Sequence, residues 1–316
     1  MLETRWPVFL WGPPGIGKSS IVQQVAASHD LPVLDIRAAL LDPTDLRGIP
    51  AVVDGRAIWA PPSFLPSDPE SSGILFFDEL SAAPPLVQAS LYQLTLDRRV
   101  GEYELPVGWK ILAAGNRAVD ASISFRMPAA LSNRFVHIDF EVDLDDWRAW
   151  AVTNAIHPLV VAFIGLRREL LFQEPGSALA FATPRSWEMV SDVVKEFGST
   201  SRAEDVLLGV IGEGPALEFL AYVAESLQEE DIKKILADPE GAPLPTKLGD
   251  LYALVSYLAS RAGEAGVRRA TGDLLGRLDP EMGVLLVRDV LRVEPKFVAD
   301  PGCAAFLQAH GDLILS

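Results

Sequence analysis

The sequence predicts an α/β protein: a mostly parallel sheet with crossover helices, followed by a second part built from helices alone. Three observations predict it. From Pro7 to about Val142, short apolar runs alternate with stretches of helical spacing. After Asp143 the strand-like runs cease, and apolar residues recur at helical spacing to the end. Between the first run and the first helix stands a glycine-rich interruption, "GPPGIGKSS".

The expected strands are Val8–Trp11, Val33–Ile36, Ile74–Phe77, Ile111–Ala114 and Val136–Phe140. Their near-continuous apolarity suits strands covered on both faces. Two stretches interrupt the alternation. In "GIPAVVDGRAIWAPPSFLP" an Asp54-Gly55 pair separates Ala51–Val53 from Arg56–Trp59, a strong hairpin signal. "RRVGEYELPVGWK" allows a second hairpin after the helix Leu86–Asp97. Either stretch would serve equally as an ordinary surface excursion. Within the helical part, Gly212–Pro215 and Pro239–Pro245 read as breaks. "ALEFLAYVAESLQEEDIKKIL" reads as a core-facing amphipathic helix, with Glu229–Asp231 on its solvated face.

The 316 residues suffice for two domains and a further small one, and 49% apolar residues can fill their cores. A balance of 27 basic against 43 acidic residues, net −16, argues against a broad nucleic-acid face; a local basic pore in an assembly stays open. Cys303 is the single cysteine, so no intrachain disulfide is expected and a reducing cytoplasm is the natural setting. No basic-then-apolar leader is visible. The longest apolar run, around Leu159–Leu166, stops at Arg167-Arg168, short of a membrane span. His29, His137, His157 and His310 are scattered and read as surface or packing residues rather than metal ligands.

The glycine-rich stretch has the chemistry of a phosphate cradle. Gly12, Gly15 and Gly17 let successive backbone N–H groups converge on one anion. Pro13, Pro14 and Ile16 complete the loop, and the helix opening at Lys18, Ser19 and Ser20 adds its positive end. The pattern GxxxxGKS is met by Gly12, Gly17, Lys18 and Ser19. In it the lysine reaches the terminal phosphates of a nucleotide and the serine hydroxyl ligates magnesium.

"GILFFDEL" would deliver Asp78 and Glu79 at the carboxyl end of a buried strand, where such sheets bind ligands. Asp78 would act through the magnesium shell, and Glu79 would polarise the attacking water. "KILAAGN" ends in Asn116, whose amide either holds that water or merely forms a turn. Arg134, in "MPAALSNRFVHI", and Arg185, in "FATPRSW", are candidates to meet charge developing on a phosphoryl group; each would serve equally as a surface ion-pair residue.

Together these residues resemble an AAA+ ATPase, a P-loop NTPase, and with "DELSAAPPLVQASLYQ" they are similar to its MoxR family. The resemblance covers about Pro7 to Phe197. It implies an α/β core over residues 1–142 with a hairpin insert at helix 2, an all-helical lid over 143–200, and a helical C-terminal region over 201–316 that matches no family. It further implies that Arg134 is an arginine finger offered to the neighbouring subunit and that Arg185 is the sensor-2 arginine of the lid. The hairpin about Asp54-Gly55 corresponds to the helix-2 insert, and "GEYELP" to the hairpin before the sensor-1 strand. Two departures stand out. The chain begins almost at the first strand, so the segment that packs on adenine is largely missing; and Arg117 or Arg126 stands where it would share or replace the role of Arg134.

The implied function is ATP hydrolysis with Mg2+ by a cytoplasmic homo-oligomeric ring, a hexamer, that remodels or activates a partner protein carrying a von Willebrand factor A domain. The alternative is a nucleic-acid-stimulated motor or loader, or the NTPase subunit of a restriction or defence system. A scaffold that only binds nucleotide has no need of Glu79, and a small-molecule kinase leaves the inserts and Arg134 without a purpose.

Overall fold

The computed structural model describes residues 4, 6–117, 125, 127–176, 178–198 and 201–315. The chain divides into two compact units, Met1–Glu141 and Val142–Ser316.

In the first unit β1 (Val8–Trp11) leads to α1 (Lys18–Ser28), β2 (Val33–Arg37), α2 (Pro43–Arg47), and the hairpin β3 (Ile49–Val53) and β4 (Arg56–Ala60). Then follow β5 (Ser72–Asp78), α3 (Pro85–Asp97), the short pair β6 (Arg99–Val100) and β7 (Tyr103–Glu104), β8 (Gly108–Gly115), α4 (Ala129–Ser132) and β9 (Val136–Asp139). Five strands form one parallel sheet in the order β2-β5-β8-β1-β9.

Alternate residues of the central strands β1, β5 and β8 feed two cores, which is why those runs are apolar on both faces. On one face Phe9, Leu75, Phe77, Ile111 and Ala113 pack with Val87, Leu91 and Leu94 of α3. On the other, Val8, Leu10, Ile74, Phe76, Leu112 and Ala114 pack with Val22 and Ala26 of α1. Both predicted hairpins are present. At the first turn Asp54 and Gly55 both have positive φ, 51° and 74°, the primed-turn geometry an Asp-Gly pair supports. Its strands carry apolar residues on both sides, and Ile49, Val52, Val53 and Ile58 are exposed.

The second unit is helical: α5 (Leu144–Thr153), α6 (Pro158–Leu166), α7 (Pro184–Phe197), α8 (Ser201–Ile211), α9 (Glu213–Glu225), α10 (Glu229–Ala237), α11 (Leu248–Ser260), α12 (Ala265–Leu275), α13 (Pro280–Val293) and α14 (Pro301–Leu315). Gly212 separates α8 from α9, and Pro239–Pro245 lies between α10 and α11. The stretch expected as one amphipathic helix is two. Ser226 leaves helical geometry at ψ 159°, and the Leu227 N–H donates to Asp250 Oδ1 at 2.8 Å instead of continuing the ladder. One core gathers Phe163, Trp187 and Phe219; another gathers Leu254, Leu258, Leu286 and Phe297.

A buried ion pair crosses this unit. Arg148 of α5 meets Asp289 of α13 at 2.7 Å, with side chains 4% and 0% exposed, and Arg148 also donates to Ser256 of α11. Burial pushes the Asp289 carboxyl up, against the pull of the Arg148 guanidinium. Removing one partner strands a charge in the core. Arg148→Ala is therefore expected to cost about 3–5 kcal/mol in denaturant unfolding, and the joint replacement of Arg148 and Asp289 by apolar residues much less.

Candidate functional site

Register sets the site. Arg37 pairs with Asp78 across β2 and β5, Phe77 with Ala113 across β5 and β8, and Gly115 with Trp11 across β8 and β1. The carboxyl ends of four strands thus lie along one edge, where a doubly wound sheet receives its ligand.

Beyond Trp11 the chain turns through the glycine loop. The Gly12 N–H donates to the Gly115 carbonyl at 3.3 Å, and a Cβ at Gly12 would stand 2.5 Å from the Phe140 carbonyl oxygen; only glycine fits. Gly17 has φ 99° and immediately precedes α1, a left-handed turn that glycine enters at no steric cost. The first turn of α1 adds N–H groups without intrahelical partners and the positive end of its dipole.

Lys18, 8% exposed, lies in this cradle. Its ammonium donates to the carbonyls of Gly12 and Pro13, each at 2.7 Å, and to Asn116 Oδ1 at 2.9 Å. Asn116 follows β8 directly, and its N–H donates to Ser81 Oγ at 3.1 Å. Ser19 Oγ donates to Asp78 Oδ2 at 2.7 Å, so two oxygens of the type a hard divalent cation takes lie side by side. Asp78 is buried, its other oxygen accepting from the Glu79 N–H at 2.9 Å. Glu79 itself has φ 57°, and its side chain is half exposed.

The structure therefore brings together the loop Gly12–Ser20, Asp78, Glu79 and Asn116. Arg134 follows α4 in the same unit, its guanidinium on Tyr92. Arg117 pairs with Asp139 at the end of β9. Arg126 lies outside the described residues. Arg185 is exposed in the first turn of α7, in the second unit, where Thr183 and Ser186 close a capping box.

Two residues at this edge went unnoticed in the sequence. Arg37 lies 3.2 Å from Asp78 and 3.9 Å from Glu79, making it a cation beside both acids. Its signal was the charged residue closing the run "VLDIR", legible only once that strand is set beside "ILFFD". Ser81, 3% exposed, accepts the Asn116 N–H; it stands within "DELSAAPPLVQASLYQ", a stretch that gives it no separate role.

Residues 7–135 match the AAA domain of the dynein-related subfamily. The match spans both hairpins and every residue of the cradle up to Arg134. No protein among the curated sequences matches the chain. Similar solved structures include RuvB of Thermotoga maritima, a Holliday junction branch migration motor. It is 17% identical, covering 81% of this chain and 76% of that one with a TM-score of 0.38. NtrX of Brucella abortus is 15% identical, covering 98% and 65%, with a TM-score of 0.35.

Three hydrogen bonds hold the Lys18 ammonium at the mouth of the loop, where it would exchange them for phosphate oxygens. Lys18→Ala is expected to weaken ATP binding roughly tenfold or more in a fluorescent-nucleotide titration. Unchanged affinity would show that phosphate is held elsewhere.

Proposed function

We propose that the chain is an ATP-hydrolysing subunit of a MoxR-type AAA+ ring, a hexamer, that remodels or activates a partner protein carrying a von Willebrand factor A domain. The observation that carries the hydrolytic part is the convergence of Lys18, the Ser19–Asp78 pair and Asn116 on one strand edge, within a segment that matches an AAA domain.

In this reading Gly12–Ser20 bind the phosphates, and Ser19 and Asp78 hold a magnesium ion, for which their adjacent oxygens are suited. That ion, when bound, neutralises charge on the terminal phosphates. Glu79 takes a proton from the attacking water, and the Asn116 amide orients that water against the terminal phosphate. Arg134 meets the developing charge from the neighbouring subunit, a contribution of about 10³–10⁵ in rate for such a finger. Arg185 does so from the helical part, with residues 143–200 acting as the lid. The Glu79 carboxylate is half exposed and lies 3.9 Å from the Arg37 guanidinium.

The hairpin β3–β4 suits contact with a protein client, since its exposed residues Ile49, Val52, Val53 and Ile58 are apolar. Trp59 and Phe64 would share in it; Arg47 stacks on Trp59 at 4.1 Å at the hairpin's root. A nucleic-acid backbone would ask for clustered cations there instead.

Glu79→Gln is expected to bind ATP with near-native affinity and to hydrolyse it at least a hundredfold more slowly (about 2.7 kcal/mol), measured by phosphate release under saturating nucleotide. Wild-type turnover would remove Glu79 from the reaction and the hydrolytic reading with it.

A further inference from the structure

Arg134 is already engaged inside its own subunit. Its Nη2 donates to the Tyr92 hydroxyl at 2.8 Å and its Nη1 to the Ala130 carbonyl at 3.0 Å. The guanidinium carbon stands 4.7 Å from the centre of the Tyr92 ring. Tyr92 projects from α3 and is packed against the core beneath the sheet, so its ring is a fixed platform. Ordering a long side chain in this way costs rotamer freedom, which one backbone carbonyl alone would not offset.

The short helix α4, which ends two residues before the arginine, is pinned as well. The Trp11 indole N–H donates to His137 Nδ1 at 2.7 Å, which puts the ring proton on Nε2, and Nε2 donates to the Ser132 carbonyl at 2.9 Å. Trp11 is the last residue before the phosphate loop. The arginine is thus fixed at its backbone through β1 and β9 and at its head through α3.

What Tyr92 leaves available matters equally. A guanidinium has five N–H groups, and the two bonds consume one on each terminal nitrogen. One N–H remains on each, and Nε is buried with no hydrogen-bond partner among the described residues. Arg134, Asn133 and His137 border a surface depression of about 590 Å3, into which an oxyanion of another molecule could enter. A carboxylate holding the same arginine would neutralise it; a neutral phenol and a π face hold it with its charge intact.

We propose that Tyr92 is the positioning residue for Arg134: ring and hydroxyl together aim the guanidinium at the phosphoryl oxygens of a nucleotide in the adjoining subunit. This rests on the reading of Arg134 as a residue acting in trans.

The test is ATP hydrolysis by full-length protein carrying Tyr92→Phe, which keeps the ring, or Tyr92→Leu, which keeps neither group. The turnover number is expected to fall severalfold in the first and roughly ten- to a hundredfold in the second, with KM within about twofold of wild type. Mixing subunits supplies a readout that simple misfolding would not produce. Tyr92→Leu mixed with Lys18→Ala should regain activity, because some junctions then join an intact cradle to an intact arginine platform. Tyr92→Leu mixed with Arg134→Ala should not, because no junction does. Wild-type turnover in both Tyr92 variants, a rise in KM alone, or recovery with Arg134→Ala would each overturn the proposal. If Arg134→Ala is impaired and complemented by Lys18→Ala while the Tyr92 variants behave as wild type, only the role of Tyr92 falls. If Arg134→Ala hydrolyses ATP normally, the trans reading falls and Tyr92 with it.

Discussion

The parallel register of β2, β5, β8 and β1 is the constraint on which the site depends. It brings Arg37, Asp78, Gly115 and Trp11 to one edge, so that the loop after β1 opens beside the acid ending β5 and the amide following β8. A slip of one residue in β5 would turn Asp78 to the opposite face and separate it from Ser19. Both faces are apolar, so side-chain size and shape hold the register: Leu75 and Phe77 pack in one core, Ile74 and Phe76 in the other, all four fully buried. Packing and chemistry are therefore one specification.

The charged groups at this edge are held by close neighbours. Among the described residues the Lys18 ammonium donates to two carbonyls and one amide oxygen, and Arg37 is shared between two carboxylates. Two residues inward along β2 stands Asp35. Burial pushes the Asp35 carboxyl up, with Arg37 opposing and the charge of Asp78 adding to the rise. On the far side of the unit, Tyr92 and the Ala130 carbonyl fix Arg134 without neutralising it.

Much of this was legible in the residues. The five strands appear where short apolar runs stood; the central β1, β5 and β8 are apolar on both faces because both are covered, while the edge strands β2 and β9 carry polar residues between their apolar ones. The Asp54-Gly55 turn was legible because few residue pairs tolerate two consecutive positive φ angles. Arg37, Ser81 and Tyr92 were not, since each acts through a partner set by strand order or helix packing, and neither can be read from local pattern. The division of α9 from α10 is illegible in the local pattern for a similar reason. Periodicity runs on through Ser226, and only the distant Asp250, by capturing the Leu227 N–H, ends the first helix there.

The most direct measurement of the central claim, that a metal-bound triphosphate occupies the cradle between β1, β5 and β8, is amide hydrogen exchange with and without Mg2+ and a non-hydrolysable ATP analogue. The account predicts slowed exchange across Gly12–Ser20 and at Glu79 and Asn116, dependent on both analogue and metal. Protection confined to other parts of the chain, with Gly12–Ser20 exchanging as before, would contradict it.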